Sequence, residues 1–371
     1  MKLVIDCFKQ IKGVGKSIGI YNVAKNIING LVEEKKVTSD DKIKNTEIIV
    51  LGNEFNELDF NVEGVTFVKV SKYSPTNKVH CVLWELFGVI RICKQLNADK
   101  VLFPRGYVAL THPIEDIIII HDLIPFYYDA HFPGVFNKAE NGYIMNRLKS
   151  SAKTASKIIT ISETSKKDIV KYCGVSENKI KVIYNACKKI DYPEKKQDQG
   201  YICAITSGLP HKNAIGVLES YKRYWLMAEN PLPLVVIGIE DTGICDLPNE
   251  VKNDIQCIKF IKDEQELYGI VRNSTLFLFL SLIEGFGLPP LEAMQLGVPV
   301  ICSGQSSLPE VTGDAAVLVD PKDAESVANE IRDLASSCKK REELIEKGKR
   351  NIERFSEQSR AKLYWKAILE E

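Results

Sequence analysis

Two glutamates eight positions apart mark the segment of this chain whose residue types are best suited to chemistry. Glu284 precedes a glycine-rich turn at 285–287, and Glu292 follows two consecutive prolines. Prolines are tolerated in the first turn of a helix, because the N–H groups of that turn have no intrahelical partner. The pattern therefore predicts a helix that begins near Pro289, with the free N–H groups just upstream facing outward. A helix start of this kind binds anions.

The two carboxylates would flank this anion site, where negative charge is unfavourable unless it contacts another part of the same ligand. Sugar hydroxyls meet that condition, since a carboxylate accepts hydrogen bonds from two of them. We expect Glu284 on the loop and Glu292 within the first helical turn, around a ligand of the form sugar–diphosphate–ribose. The alternative is an exposed Glu284 and a Glu292 favoured only by the helix dipole.

A second candidate phosphate loop lies near the N-terminus, at Gly13-Val14-Gly15-Lys16-Ser17. A nucleoside-triphosphate P-loop requires glycine where this chain has Gln10. In a dinucleotide fingerprint the third glycine would come one position earlier than Gly19, and an acid would follow about twenty residues later. Both readings fail on spacing, which leaves open a third, in which residues 13–19 form a loop that faces a nucleotide diphosphate across a cleft. A purely structural loop is the alternative.

Short apolar runs that alternate with amphipathic stretches must position these residues. Uninterrupted runs such as IIII and LFLFL are typical of parallel strands covered on both faces. Amphipathic stretches, for example KNAIGVLESYKRYWLMAE, predict helices. The alternation predicts doubly wound α/β domains. The expected strands are KLVIDC, TEIIVLG, VTFVKV, KVLF, DIIIIHD, KIITI and KIKVIY, then YICAIT, LPLVVIG, IQCIKF, TLFLFLSL, VPVIC and AAVLV.

The two series of strands are separated by a polar stretch, ACKKIDYPEKKQDQ, that has no periodicity. We therefore expect two Rossmann-like domains that face each other across a cleft. The predicted boundaries are 1–185 for the first domain, 186–199 for the linker, 200–352 for the second domain, and 353–371 for a C-terminal helix.

Composition excludes several classes of protein. Lys plus Arg and Asp plus Glu both number 49 among 371 residues, which argues against nucleic-acid binding. No apolar run reaches the roughly 18–20 residues of a membrane span. The ten cysteines include no Cys-x-x-Cys pair and the five histidines do not cluster, so we expect reduced thiols, no metal site and a cytoplasmic location.

At this point a family resemblance becomes visible. The segment EGFGLPPLE resembles the E-x7-E signature of the family-4 retaining glycosyltransferases, which have the GT-B architecture. Further resemblance lies in SKIITISETSKKDIVKYCGVSENKIKVIYNAC, SGLPHKN, SLPEVTGDAAVLVDP and RFSEQSRAKLYWKAI, with VLWE and HDL in the first half. It covers nearly the whole chain. It implies that 1–185 is the acceptor-side domain, that 200–352 is the donor-nucleotide domain, and that the helix at 353–371 packs back toward the first domain.

The resemblance implies roles for individual residues. Glu284 would contact the donor sugar, Glu292 the ribose, and Lys212 the diphosphate, while His121 would reach the donor sugar near the acceptor. An arginine is usual near His211, so a histidine or Lys16 would supply that charge here. The implied catalytic residues are Glu284, His121 and Lys212; the implied donor-binding residues are Gly15, Lys16, Gly19, Ser207, Gly208, His211, Lys212, Phe260, Ile261, Gly285, Phe286, Gly287, Leu288 and Glu292.

The implied activity is transfer of a hexose from a nucleotide-diphosphate sugar, GDP-mannose or a UDP-sugar, to a saccharide or lipid-linked glycan. No cofactor is expected. The chain lacks a D-x-D motif, so metal-independent transfer is expected; retention of configuration comes from the resemblance alone. Peripheral association with the inner face of the membrane is a further expectation. The alternatives are a non-catalytic nucleotide-sugar binder and a GT-B enzyme of other chemistry, such as an epimerase.

Overall fold

The computed structural model describes residues 1–11, 18–191 and 200–370. The chain divides into two compact α/β units, each built around its own parallel sheet. Unit 1 comprises Met1–Ala186 and Glu357–Glu371, and unit 2 comprises Cys187–Ser356.

Unit 1 contains a 7-stranded parallel sheet in the order β3-β2-β1-β4-β5-β6-β7. Its strands are β1 (Lys2–Asp6), β2 (Glu47–Gly52), β3 (Thr66–Lys69), β4 (Lys100–Phe103), β5 (Glu115–Ile120), β6 (Lys157–Thr160) and β7 (Ile180–Val182). Its helices are α1 (Ile18–Val37), α2 (Asp41–Lys44), α3 (Glu57–Phe60), α4 (Lys78–Leu83), α5 (Val89–Gln95), α6 (Ile124–His131), α7 (Lys138–Thr154) and α8 (Glu163–Cys173), and a π-helical turn, Trp84–Gly88, joins α4 to α5.

Unit 2 contains a 6-stranded parallel sheet in the order β10-β9-β8-β11-β12-β13. Its strands are β8 (Ile202–Ile205), β9 (Leu234–Ile237), β10 (Ile255–Ile258), β11 (Leu276–Phe279), β12 (Val300–Ser303) and β13 (Ala316–Val319). Its helices are α9 (Ala214–Met227), α10 (Asn249–Asn253), α11 (Glu264–Asn273), α12 (Leu288–Gln295), α13 (Leu308–Thr312), α14 (Ala324–Ser336) and α15 (Cys338–Ile352).

All the predicted strand segments are strands in the structure, and the doubly wound fold is confirmed. The reason is burial on both faces of each sheet. Residues 117–120 of β5 and 276–279 of β11 are at most 1% exposed, which only uninterrupted apolar sequence can satisfy.

In both sheets the strand order reverses direction between the first and fourth strands of the unit. These are β1 and β4 in unit 1, and β8 and β11 in unit 2. All strands are parallel, so the loops after these two strands leave the same edge of the sheet. Such a switch point is where ligands bind in open α/β sheets.

The C-terminal stretch departs from the sequence-based expectation of one long helix. Helix α15 ends at Ile352, a 3₁₀ turn covers Glu353–Phe355, and a new helix, α16, spans Glu357–Leu369. Helix α16 lies in unit 1, where Trp365 Nε1 donates to the carbonyl of Leu31 on α1 at 3.0 Å. Among the described residues, no helix has the length and apolar character needed to cross a membrane.

Candidate active site

The switch point of unit 2 brings together two loops distant in sequence. One follows β8 and carries Lys212, and the other follows β11 and carries Glu284. The loops are joined by backbone hydrogen bonding, since Leu282 N donates to His211 O at 2.7 Å. Asn213 Nδ2 also donates to the carbonyl of Leu280 at 3.0 Å. The position of Lys212 beside Glu284 is therefore fixed by main-chain contacts.

Lys212 and Glu284 form an ion pair, with Nζ 2.6 Å from Oε1. The lysine side chain is 27% exposed and the glutamate 11% exposed, so solvent reaches the pair. Lys212 ends a 3₁₀ turn whose last carbonyl accepts a hydrogen bond from Thr206 Oγ1 at 2.7 Å. Asn213, with φ 56°, follows Lys212 and is the N-cap of α9. Its Oδ1 accepts a hydrogen bond from Gly216 N, so the helix begins directly after this residue. A ligand anion could replace Glu284 as the partner of this ammonium group.

Two serines that the sequence analysis did not single out hold the backbone of the glutamate loop. Ser306 Oγ donates to the carbonyl of Glu284 at 2.8 Å and accepts from its N–H at 3.2 Å. Ser307 Oγ donates to the carbonyls of Glu284 and Phe286, at 2.9 and 2.8 Å. The signal in the sequence was a pair of serines between a buried strand and the start of α13, where hydroxyls bond to nearby backbone.

The predicted helix start after the glycine turn is confirmed, one residue earlier than expected. Gly287 is the N-cap of α12, and Leu288 is its first residue. Gly287 has φ 111°, and an added Cβ would collide with Leu308, so only glycine fits there. No side chain among the described residues caps this helix start. Its positive end therefore faces the same loop that carries Glu284, as an anion site requires.

Glu292 is the fifth residue of α12, so the prediction that it lies in the first helical turn is wrong. The reason is the left-handed Gly287, which starts the helix upstream of the prolines. Burial, with a smaller contribution from repulsion by Glu264, raises the pKa of Glu292 to about 7. The carboxyl group is thus poised between its protonated and ionised forms near neutral pH.

His211 does not provide the cation that the sequence analysis considered there. It is 5% exposed, and burial lowers its pKa to about 4; Lys212 lowers it as well, while Glu284 opposes the shift. The ring is therefore neutral at physiological pH. Lys16, the other candidate for this charge, lies outside the described residues, as does Gly15.

The remaining donor-side candidates follow β8, β10 and β11, whose ends lie at the same edge of the sheet. Ser207 is half-buried and Gly208 exposed, both after β8. Phe260 is 69% exposed after β10, and Ile261 next to it is half-buried. The side chain of Phe286 is buried against Phe355, with ring centroids 5.6 Å apart.

The backbone between Glu284 and α12 is otherwise enclosed. Gly285 is buried like Phe286, so these two residues could contact a ligand only through main-chain atoms. Leu288, the first residue of the helix, is half-buried.

In unit 1 the predicted site residue His121 directly follows β5. Its Nε2 lies 2.8 Å from the carbonyl of Pro104, which can only accept, so Nε2 carries the proton. Burial lowers the pKa of His121 to about 4, so Nδ1 is unprotonated at neutral pH. Gly19 lies in the first turn of α1, and no atom of the described residues lies within 4 Å of an added Cβ there.

Metal ligands were also sought. In residues 1–11, 18–191 and 200–370, no group of three or more His, Cys, Asp and Glu side chains is arranged to hold a metal ion. The groups shown at the unit 2 switch point are the ammonium of Lys212, the carboxylate of Glu284 and the start of α12. This set can bind an anion and hydroxyls without further groups.

Comparison with known proteins finds two family profiles that match this chain. The profile of Glycosyltransferase Family 4 matches residues 44–188, and that of Glycosyl transferases group 1 matches residues 188–351. The O-antigen chain mannosyltransferase RfbU of Salmonella typhimurium is 29% identical over 291 residues, 76% of this chain and 78% of that protein. The O-antigen chain mannosyltransferase B of Escherichia coli is 29% identical over 267 residues, 67% of this chain and 68% of that protein.

Solved structures with the same fold include another carbohydrate-related enzyme, as its name states. Sucrose-phosphate synthase from Thermosynechococcus elongatus superposes with a TM-score of 0.70 over 99% of both chains, at 13% identity. The chain therefore belongs to the family-4 glycosyltransferases, with two domains of GT-B type. It is a hexosyltransferase.

Proposed function

We propose that this enzyme transfers a hexose, with retained configuration and without a metal ion, from a nucleotide-diphosphate sugar to a hydroxyl of a glycan. Mannose from GDP-mannose is the favoured donor, because both relatives named above are mannosyltransferases; a UDP-sugar is the other candidate. The observation that carries the proposal is the Lys212–Glu284 pair beside the start of α12.

The diphosphate would bind between Lys212 and the N–H groups at Gly287 and Leu288. Lys212, which solvent reaches, would exchange its contact with Glu284 for a phosphate oxygen, so the ammonium keeps an anionic partner. Negative charge grows on the diphosphate as the glycosidic bond breaks. A fixed ammonium and a helix dipole therefore stabilise the transition state more than the ground state.

The two acids would bind the ends of the donor. Glu284, released from Lys212, would accept hydrogen bonds from hydroxyls of the transferred sugar. Glu292, whose pKa is raised to about 7, would accept hydrogen bonds from the ribose hydroxyls. Hydrogen bonds donated to a carboxylate favour its ionised form, so ribose binding would lower this pKa. Phe260, exposed at the end of β10, would contact the base.

In the transfer step the bond between the anomeric carbon and the phosphate oxygen breaks. The acceptor oxygen forms its bond to the anomeric carbon on the same face. The proton of the acceptor hydroxyl goes to the leaving phosphate, so nucleoside diphosphate and glycoside are the only products. His121 would contact the donor sugar. Its Nε2 is bonded to the carbonyl of Pro104, so the ring would contribute its unprotonated Nδ1 as an acceptor.

The acceptor we propose is a growing saccharide, free or lipid-linked, met at the inner face of the membrane. Support comes from the relatives, both named for O-antigen chains. Lysines of α7 and α8 in unit 1, among them Lys149 and Lys171, could contact anionic lipid. Sedimentation with vesicles that contain 30% anionic lipid, compared with neutral vesicles, tests this part separately.

The proposed reaction is tested by incubating the full chain with GDP-mannose or UDP-glucose and a panel of methyl glycosides, with and without EDTA. We expect release of nucleoside diphosphate that EDTA does not suppress, and a product anomeric proton with the configuration of the donor. Glu284→Gln should abolish transfer and keep nucleotide binding. Glu346→Gln, in an exposed 2.6 Å pair with Lys349 on α15, is the control and should behave as wild type. Suppression by EDTA or inversion of configuration would contradict the proposal.

A further inference from the structure

A small polar pocket lies at the switch point of unit 1, at the carboxyl ends of β1 and β4. It is lined by Asp6, Lys9, Gln10, Glu85, Phe103, Arg105 and Tyr107. Its volume is about 20 Å³, which admits a single hydroxyl group or a water-sized group. The pocket occupies in unit 1 the position that the Lys212–Glu284 pair occupies in unit 2.

The acids of this pocket are already satisfied within the protein. The carboxylate of Glu85 lies 2.6 Å from Lys9 Nζ and 2.9 Å from Arg147 Nε. Asp6 accepts a hydrogen bond from Trp84 Nε1 at 3.1 Å. Neither acid needs a ligand to complete its contacts.

Gln10 differs from its neighbours. It is 3% exposed, and neither its amide nitrogen nor its amide oxygen has a hydrogen-bond partner among the described residues. Its backbone is nevertheless held firmly. Its N–H donates to the carbonyl of Cys7 at 3.0 Å, and its carbonyl accepts from Asn53 Nδ2 at 3.2 Å and Asn56 Nδ2 at 2.7 Å.

A fixed, buried amide with an unused donor and an unused acceptor is unfavourable unless a ligand completes it. One sugar hydroxyl fits both groups, because a hydroxyl is at once an acceptor and a donor. Its oxygen accepts from the amide N–H, and its proton is donated to the amide oxygen. Arg105, which forms no ion pair among the described residues and donates Nη1 to Lys9 O at 3.1 Å, has further donors on the same pocket.

We infer that Gln10 recognises one hydroxyl of the acceptor saccharide and so determines acceptor specificity. This inference rests on the proposed transfer to a glycan. Because the pocket admits one hydroxyl-sized group, it accepts one configuration at that ring carbon and excludes its epimer. Gln10 does not contact the reacting atoms in this account.

The first test compares Gln10→Met with wild type in the transfer assay, with the most reactive methyl glycoside as acceptor. We expect the acceptor KM to rise about 10-fold or more, because the loss of a hydrogen bond to a buried group lowers the binding free energy substantially. The kcat and the nucleotide affinity should stay unchanged. Gln95→Met, exposed on α5 of the same unit, is the matched control and should change neither constant.

The melting temperature separates recognition from structure. Methionine has a similar length and leaves no amide unpaired, so Gln10→Met should melt at or above the wild-type temperature. A melting temperature several degrees lower, with acceptor KM unchanged, would show a structural role and overturn the inference.

The second test identifies the acceptor hydroxyl that Gln10 recognises. ¹⁵N NMR locates the Gln10 side-chain amide by its absence in Gln10→Met, and monodeoxy methyl glycosides are titrated into wild type. We expect the parent glycoside to shift this resonance. The analogue that lacks the recognised hydroxyl should bind wild type weakly, with the same affinity as the parent glycoside has for Gln10→Met. If every deoxy analogue binds equally, or only nucleotide shifts the amide, Gln10 holds water or donor and the inference fails. Absence of transfer in the wild type would instead refute the proposed function.

Discussion

The two units have the same strand order up to the sixth strand, yet their switch points differ in chemistry. In unit 1 the charges are enclosed, with Glu85 only 5% exposed between Lys9 and Arg147. In unit 2 the Lys212–Glu284 pair is reached by solvent, beside a helix start without a side-chain cap in the described chain. The same topology thus provides one site whose carboxylates are satisfied within the protein and one site whose charges are available to a ligand.

The difference teaches that location and chemistry have separate origins. Strand order places a pocket at the switch point of each sheet. Burial then decides whether charges stabilise the protein or remain free to bind. We therefore expect substitutions of the paired charged residues in the two units to affect different properties, stability in unit 1 and transfer in unit 2.

The largest effect is expected for Glu85→Ala in unit 1. It leaves the guanidinium of Arg147 and the ammonium of Lys9 facing each other in a largely buried site, which costs about 3–5 kcal/mol of unfolding free energy. Urea denaturation measures this change. Glu346→Ala, which breaks an exposed pair, should lose less than about 1 kcal/mol. Equal losses in the two variants would contradict the contrast between enclosed and available charge.

In unit 2, Lys212→Met should reduce kcat by about 10²–10³-fold, because a fixed cation at the leaving group is lost. The unfolding free energy should change by less than about 1 kcal/mol, since the pair is partly exposed. Steady-state kinetics and urea denaturation measure both quantities, with Lys349→Met as the matched control. A variant that transfers normally but unfolds easily would assign Lys212 a structural role.

The pH dependence of stability should reveal the raised pKa of Glu292. Between pH 4.5 and 7 the folded protein holds a proton at Glu292 that the unfolded chain has released, so this group makes the unfolding free energy fall as pH rises. Glu292→Gln removes that contribution and should gain about 1–3 kcal/mol relative to wild type from pH 4.5 to pH 7.

The neighbouring His211 acts with the opposite sign. Its lowered pKa means that the unfolded chain takes up a proton between pH 6.5 and 4, so stability is lost as pH falls through that window. His211→Gln therefore provides the control of opposite slope. If the difference between Glu292→Gln and wild type is the same at pH 4.5 and pH 7, the carboxyl group is not buried as described.

The smallest effect is expected at the edge strands of the two sheets. Phe260, after β10, is 69% exposed, whereas Val70, after β3 of unit 1, is 2% exposed. Phe260→Ala should weaken nucleotide binding by about 1 kcal/mol, the low end for stacking on a base, and leave the melting temperature unchanged. Val70→Ala should do the reverse. Calorimetric titration with GDP and UDP checks the binding, and unaltered affinity in Phe260→Ala would remove this residue from the site.

The sequence was sufficient for the elements and for the position of the helix start. Buried parallel strands need uninterrupted apolar residues, and consecutive prolines occur only at a few backbone positions, so both features can be read locally. The fold and family expected from the E-x7-E segment were confirmed by the comparisons. The roles of the individual site residues stay predictions.

What the sequence could not provide depends on packing between distant segments. The neutrality of His211 follows from its burial, and letters alone suggested a cation. Lys212 meets Glu284 across 72 positions because strand order brings β8 beside β11. Gln10 was informative in the sequence only as the residue that excludes a P-loop; its unpaired amide became visible in the folded chain.

The most direct test of the account is calorimetric titration of GDP-mannose and UDP-glucose into wild type, Lys212→Met and Lys349→Met. The account predicts that one donor binds wild type and Lys349→Met with equal affinity, and Lys212→Met at least about 10-fold more weakly, the loss of a charge-assisted hydrogen bond to phosphate. Equal affinity for all three proteins would place the diphosphate away from the unit 2 switch point and contradict the central claim.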